Sequence, residues 1–227
     1  MSNRPNTRKR PGTAARSVPP RPSAAKSGPS RGLVIGLVVV ALLLVAAIAI
    51  AVTSSSDDET DAGPQTLPVE VTGTLPSMPT GGTDPAVGQA APSVTGSTFD
   101  GQTVTIGQDG RAKLVMFLAH WCPHCRAEVP VITDWLASNG MPDDVDLYAV
   151  STGVSADAPN YPPSEWLERE GWPVTTIADD ADSSVAAAFG LRSYPYFVAI
   201  DADGNVVART SGELTVEQLD QLLAAAR

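Results

Sequence analysis

Residues 113–130 read KLVMFLAHWCPHCRAEVP, an apolar run followed almost at once by the only two cysteines of the chain. The short run is typical of a buried strand, and the segment that begins after the first cysteine predicts a helix. Cys122 and Cys125 are therefore expected in the first turn of this helix, where unpaired backbone N–H groups and the positive end of the helix dipole favour a thiolate. Because the thiolate is the form of cysteine that attacks a disulfide, the sequence predicts a redox-active dithiol.

The two cysteines are expected to have different roles. Cys122 lies at the mouth of the helix and is predicted to be the attacking thiolate, whereas Cys125 lies one turn inside and would resolve the mixed disulfide. A purely structural disulfide between them would close too short a loop to restrict the unfolded chain much, since this stabilisation grows with loop length.

Residue spacing disfavours both metal and peroxide chemistry at this motif. A zinc site could recruit the two cysteines together with His120 and His124, but ligands within six residues cannot easily converge on a tetrahedron. A peroxiredoxin-like cysteine follows Thr or Ser by three residues and Pro by seven, and this chain has Ala119 and Val115 there. We therefore predict neither a metal nor another cofactor.

The N-terminal part of the sequence predicts a membrane anchor. Residues 33–52 contain no charge, Pro, Ser or Thr and are long enough to cross a hydrocarbon core, so residues 32–52 are predicted to be transmembrane. Residues 1–31 carry eight Lys or Arg and no acid, which predicts a disordered cytoplasmic arm and places the remainder outside the cytoplasm. A signal peptide cleaved near Ala47-Ile48-Ala49 is the alternative, and the long apolar run and basic arm disfavour it.

The segment after the anchor predicts a linker, and the charge beyond the anchor restricts the partners. Residues 53–88 are rich in Ser, Thr, Pro, Gly and Asp, a composition that predicts a disordered tether. Beyond residue 52 the chain has 7 Lys or Arg against 25 Asp or Glu, which repels nucleic acid and anionic lipid surfaces. The solubility of an exported domain explains this acidity without an acidic binding patch.

Residues 89–227 predict one α/β domain, a mixed sheet flanked by helices, because short apolar runs alternate with helical patterns. The predicted elements are hairpins over 97–106 and 196–210, strands over 113–119, 146–150 and 174–177, and helices over 123–137, 164–170, 182–189 and 215–226. The predicted buried positions are Val129, Ile132, Trp135 and Leu136 in the first helix, and Val216, Leu219, Leu222 and Leu223 in the last.

Two motifs together carry a resemblance to a known family. The WCPHC motif between a strand and a helix, with Tyr194-Pro195 directly before a later strand, resembles the thioredoxin superfamily over residues 86–227. CPHCRAEVP, residues 122–130, is similar to the membrane-anchored TlpA/ResA-like thiol-disulfide oxidoreductases. The resemblance implies a thioredoxin-like fold with Pro195 in the cis form facing the sulfurs, Tyr194 offering its backbone to substrate, and Trp121 forming a wall beside the motif.

The sequence departs from typical thioredoxins at the expected proton acceptor. Those proteins carry a buried Asp where this strand has Met116. Glu128 instead occupies the position where the TlpA/ResA-like group places an active-site Glu. It lies three residues after Cys125, on the same helix face, so it could accept the proton that Cys125 must lose. The alternative is a solvated glutamate on the helix surface.

The sequence leaves the direction of disulfide exchange open. Pro123-His124 is the dipeptide of the strongly oxidising DsbA-like enzymes, and His124 would stabilise the Cys122 thiolate, which favours an oxidase or isomerase. The framework, however, resembles a group that often reduces disulfides, including those of apocytochromes. The expected partners are exported cysteine-containing proteins and a membrane redox partner. For His120, a role at the site and a place as an exposed residue at the end of the strand are equally compatible with the sequence.

Two functions other than disulfide exchange fit the sequence less well. A copper-handling thioredoxin-like chaperone would need a distant histidine, and the chain has none after His124. A tethered binding domain would not need Cys122, Cys125 and Pro195, and all three are present.

Overall fold

The computed structural model describes residues 63–227. Its strands are β1 (Glu70–Thr72), β2 (Ser93–Ser97), β3 (Thr103–Ile106), β4 (Ala112–Leu118), β5 (Val145–Ser151), β6 (Thr175–Ala178), β7 (Tyr196–Ile200) and β8 (Val206–Ser211). Its helices are α1 (Pro123–Asn139), α2 (Pro163–Arg169), α3 (Ser184–Ala188) and α4 (Val216–Ala226). The strands and helices predicted from residue 103 onward are present. The first strand of the hairpin predicted over 97–106 lies earlier than predicted, because β2 ends at Ser97 and residues 98–102 form the turn.

The larger sheet brings several loops to one edge. Its strand order is β6-β5-β4-β7-β8, with β4 at the centre. β4, β5 and β6 are parallel, and β7 is antiparallel to β4. The loops that follow β4, β5 and β6 therefore leave from the same edge of the sheet, and the loop that precedes β7 reaches it too. Because the WCPHC motif directly follows β4, the candidate site is built at this edge.

β4 is buried on both faces, which explains its uninterrupted apolar sequence. Alternate side chains of a strand point to opposite faces of the sheet. Leu114, Met116 and Leu118 pack in the layer that contains the buried side chains of α1 and α4. Val115 and Phe117 pack in the opposite layer, with side chains from α3 and from the smaller sheet β1-β2-β3. The predicted mixed sheet flanked by helices is thus confirmed.

Residues 63–88 are folded onto the domain, so the predicted disordered tether is wrong for this part of the chain. β1 pairs with β2, Leu75 is buried, and its N–H donates to the carbonyl of Ala188 at 2.8 Å. The buried guanidinium of Arg209 donates from Nε to Asp84 Oδ2 at 2.8 Å. The composition is misleading here because backbone hydrogen bonds and a buried ion pair, rather than an apolar run, hold the segment.

Two predicted core positions differ in the structure. Val216 is exposed, and the prediction that it faces the core is wrong. Thr215 and Gln218 form a capping box at the start of α4, in which Thr215 Oγ1 accepts from the Gln218 N–H and the Gln218 side chain accepts from the Thr215 N–H. Val216 is therefore the first residue of the helix, on its solvent side. Trp135 is only half-buried, whereas the other predicted core residues of α1 and α4 are buried.

The predicted cytoplasmic arm, anchor and first part of the tether, residues 1–62, lie outside the described residues. Within residues 63–227, none of the helices combines the length and apolar character needed to span a membrane.

Candidate active site

Cys122 is the N-cap residue of helix α1, in the short connection that follows β4. Its backbone is extended (φ −72°, ψ 122°), and Pro123 follows as the first helical residue. Proline suits this position because its missing N–H would have no partner in the helix anyway. A tight turn fixes Cys122, since its N–H donates to the Ala119 carbonyl at 3.0 Å and its carbonyl accepts from the Arg126 N–H at 3.1 Å. Cys122 therefore lies at the N-terminus of α1, as the sequence predicted.

Both cysteines are free thiols, and Cys125 is the more enclosed of the two. Cys122 keeps 5% of its surface exposed, whereas Cys125 is completely buried. Burial raises the pKa of the Cys125 thiol far above its usual value, although the Ala119 N–H donates to Cys125 Sγ at 3.4 Å and opposes this effect. Cys125 therefore needs a proton acceptor before it can act as a nucleophile, which favours Cys122 as the attacking residue.

The loop before β7 faces the dithiol. The Tyr194–Pro195 peptide bond is cis, as the resemblance implies. The Cys122 thiol points to the Tyr194 carbonyl, with 3.9 Å between Sγ and the oxygen. Trp121 lies beside them, because its ring meets the Tyr194 ring edge to face with centroids 5.6 Å apart. Trp121 Nε1 also donates to the Gly153 carbonyl at 2.7 Å. These residues form a wall around the Cys122 sulfur.

Glu128 is a buried carboxyl group rather than a solvated one. Only 1% of its surface is exposed, and its Oε2 accepts from the Leu214 N–H at 2.9 Å. Its Oε1 has no hydrogen-bond partner among the described residues. Burial and, to a smaller extent, the nearby charge of Glu213 raise the pKa of Glu128 to about 7, against the opposing effect of the Leu214 N–H. A carboxyl group with this pKa can take and return a proton at neutral pH.

Glu128 interacts electrostatically with Cys125. Its charge contributes to the raised pKa of the Cys125 thiol. Met116, which replaces the acid of typical thioredoxins, is buried in the same apolar cluster as both cysteines. The burial of Glu128 rules out a solvated surface glutamate, and its role as acceptor of the Cys125 proton stays a prediction.

His124 is exposed and is paired with a residue that the sequence did not predict. Its Nδ1 lies 2.6 Å from Oε1 of Glu213, in the loop between β8 and α4. A carboxylate oxygen can only accept, so His124 Nδ1 donates in this contact. The expected stabilisation of the Cys122 thiolate by His124 stays a prediction. Glu213 is 89 residues away in sequence, and no local pattern marks it.

His120 is fully buried, so the alternative of an exposed strand-end residue is wrong. Its Nε2 accepts from the Ser155 N–H at 3.2 Å, which places the proton on Nδ1, where it is donated to the Pro159 carbonyl at 2.8 Å. Burial lowers the pKa of His120, partly opposed by the Pro159 contact. The imidazole is therefore neutral and structural at this position.

Over residues 63–227, no group of three or more His, Cys, Asp or Glu side chains is arranged to hold a metal ion. The two histidines beside the motif are engaged with Pro159, Ser155 and Glu213 instead. The chemistry that the described groups supply is thiol-based, namely two sulfurs and a buried proton acceptor.

Comparisons with known proteins agree with this arrangement. A family model described as Redoxin matches residues 86–223. The chain is 31% identical over 150 residues to the thiol:disulfide interchange protein DsbE homolog of Paracoccus denitrificans, a match that covers 61% of this chain and 78% of that protein. It is 25% identical over 138 residues to the thiol-disulfide oxidoreductase ResA of Bacillus thuringiensis, covering 60% of this chain and 76% of that protein.

A solved structure supports the fold. The thiol:disulfide interchange protein described as DsbE from Chlorobium tepidum matches with a TM-score of 0.52 and 22% identity, over 62% of this chain and 96% of that chain. This similarity shows a thioredoxin-like fold. Together with the Redoxin match and the DsbE and ResA relatives, this fold confirms the resemblance predicted from the cysteine motif and Tyr194-Pro195.

Proposed function

The chain belongs to the Redoxin family, and on that premise we propose that it is a thiol-disulfide oxidoreductase that exchanges disulfides with exported proteins through Cys122 and Cys125. One observation carries the proposal. Cys122 begins a helix and faces the Tyr194 carbonyl, while Cys125 is buried one turn away in the same apolar cluster as Cys122. The names of the DsbE and ResA relatives support the same activity.

The arrangement supports the following exchange. The Cys122 thiolate attacks one sulfur of a substrate disulfide, and the other substrate sulfur leaves as a thiolate and takes a proton. Cys125 then passes its proton to Glu128 and attacks Cys122 Sγ. The substrate sulfur that was bonded to Cys122 leaves as a thiolate and takes a proton. The substrate has then gained two electrons, and the Cys122–Cys125 disulfide has formed. The same steps in reverse oxidise a substrate dithiol and return Cys122 and Cys125 to thiols.

We propose that the enzyme acts in the cell as an oxidase or isomerase of exported proteins. Pro123-His124 puts an imidazole in the first turn of α1, where a protonated ring would stabilise the Cys122 thiolate and hence the reduced form. An enzyme that oxidises exported proteins needs a membrane redox partner to oxidise it again, since each exchange leaves its cysteines reduced.

A reductase is the second candidate, and Glu128 favours it. The carboxyl group of Glu128 interacts electrostatically with Cys125. Negative charge near the sulfurs opposes thiolate formation, which stabilises the disulfide and makes the couple more reducing. The potential of the pair decides between the two directions.

We also propose that the domain acts outside the cytoplasm on a membrane tether. The uncharged run of residues 33–52 and the basic arm ahead of it support this location. Protease added to intact spheroplasts should digest the domain, whereas protection of the domain would contradict the tethered arrangement.

The test of the proposed function is the equilibrium of the full-length chain with glutathione buffers, read by alkylation and mass spectrometry. We expect a reversible two-electron couple that Cys122→Ser abolishes. A potential nearer to about −120 mV, the DsbA value, supports the oxidase, and one nearer to about −270 mV, the thioredoxin value, supports the reductase. If no reversible Cys122–Cys125 disulfide forms, the function is wrong.

A further inference from the structure

His120 fixes one particular loop beside the dithiol. The β5–α2 loop (residues 152–162) supplies both hydrogen-bond partners of the His120 ring, the Pro159 carbonyl and the Ser155 N–H. The backbone carbonyl of His120 accepts from Asn160 Nδ2 at 2.9 Å. A single buried residue thus makes three hydrogen bonds to the loop, and disulfide exchange does not use any of them.

Trp121 holds the same loop at its other end. Its Nε1 donates to the Gly153 carbonyl at 2.7 Å, and the Gly153 N–H donates to Ser183 Oγ at 3.3 Å. The two residues that precede Cys122 therefore fix both ends of the β5–α2 loop. The position of the loop is tied to the position of the attacking sulfur, so whatever binds the loop is aligned with that sulfur.

The β5–α2 loop exposes little charge and one aromatic ring, since its exposed residues are Ser155, Ala156, Asp157, Pro159 and Tyr161. Asp157 is its only charged residue. Tyr161 is 44% exposed and is the only aromatic residue among the large exposed hydrophobic side chains of residues 63–227. Its ring packs edge-on against the His120 ring, with centroids 6.0 Å apart. A ring held in one orientation loses little conformational entropy on binding, and aromatic residues are enriched where proteins meet.

We propose that the β5–α2 loop is a docking surface for protein substrates, on which Tyr161 contacts an apolar side chain next to the substrate cysteine and His120 is the residue that positions the loop. The occupant is an extended segment of the exported protein whose sulfur reaches Cys122. Such a segment must cross the surface around Trp121, and the loop continues that surface. This inference rests on the proposed function and names the recognition that the function uses.

The test compares three disulfide probes with the reduced full-length chain in single-turnover exchange. The first is a peptide with Phe beside a cysteine that is joined to glutathione, the second is the same peptide with Gly in place of Phe, and the third is hydroxyethyl disulfide. We expect Tyr161→Ala to raise the half-saturating concentration of the Phe peptide about five- to tenfold, as expected for one lost apolar contact. The limiting rate and the exchange with the other two probes should change by less than about twofold.

Met141→Ala is the matched control. Met141 is 47% exposed, close to the exposure of Tyr161, and lies between α1 and the start of β5, at the edge of the sheet opposite the dithiol. This substitution should leave all three probes unchanged. Equal discrimination between Phe and Gly peptides by the wild-type chain and Tyr161→Ala would overturn the docking surface, as would an equal loss in Met141→Ala.

The role of His120 is tested with two substitutions. His120→Gln keeps one donor and one acceptor and should retain the preference for the Phe peptide, whereas His120→Phe loses both and should behave like Tyr161→Ala. If His120→Phe does not fold, the comparison of Tyr161→Ala with Met141→Ala still shows whether Tyr161 contacts the Phe peptide. Failure of the wild-type chain to react with hydroxyethyl disulfide would contradict the proposed function instead, so the two failures are distinguishable.

Discussion

Glu128→Gln should remove a pH dependence from the stability of the protein. Burial raises the pKa of Glu128 from its usual 4.5 to about 7. Since one pKa unit corresponds to about 1.4 kcal/mol, the ionised carboxylate costs the folded state about 3 kcal/mol relative to the protonated form. Because the folded-state pKa is raised, the stability gained from the protonated carboxyl group is fully present below about pH 4.5 and is lost as the pH rises through about 7.

The assay is urea denaturation of the reduced full-length chain and of Glu128→Gln between about pH 4 and about pH 8. The Gln side chain retains an acceptor for the Leu214 N–H and carries no charge at any of these values. The free energy of unfolding of the variant, relative to wild type, should therefore increase by about 3 kcal/mol across this interval.

Glu168→Gln controls for the loss of an exposed carboxyl group on the domain surface. All other titrating groups are common to the wild-type chain and Glu128→Gln, so they cancel in the difference. Stability curves of wild type and Glu128→Gln that run parallel over the whole interval would show that Glu128 does not titrate with a raised pKa in the folded state.

Three further predictions concern the chemistry and the fold. Glu128→Gln should slow the attack of Cys125 on the mixed disulfide and flatten its rise with pH near 7, measured by single-turnover kinetics; an unchanged profile would contradict the proton transfer. His124→Pro should lower the reduction potential, measured against glutathione buffers, by ~30 mV for each 1.4 kcal/mol of lost stabilisation of the dithiol. Asp84→Ala should cost about 3 kcal/mol in urea denaturation because it leaves a buried guanidinium unpaired, and a loss below about 1 kcal/mol would contradict this.

The parts of the fold that local signals specify could be predicted from the sequence. The apolar run of β4 and the proline at the first position of α1 mark a strand and a helix within a few residues. The segment of residues 63–88 could not be predicted in this way. Its backbone hydrogen bond to Ala188 and the ion pair of Asp84 join residues more than a hundred positions apart. Its composition, moreover, is typical of disorder.

The same distinction holds within the site. Cys122, Cys125 and Glu128 belong to one helix and its N-cap, so their spacing along the chain is enough to place them together. The neutral state of His120 and the contact of His124 depend on residues from other loops, between 35 and 89 positions away. No sequence pattern specifies which loop meets which side chain, because those contacts form only when the sheet brings its loops to one edge.

Trapping of mixed disulfides shows which cysteine attacks the substrate, Cys122 in the proposed exchange, and which one resolves the adduct. Membranes from cells that express the full-length Cys125→Ala or Cys122→Ala variant would be quenched in acid, alkylated and separated without reductant. We predict reductant-sensitive adducts with exported proteins for Cys125→Ala and none for Cys122→Ala, because Cys125 is buried and its pKa is raised. Adducts that form with Cys122→Ala and not with Cys125→Ala would contradict the account.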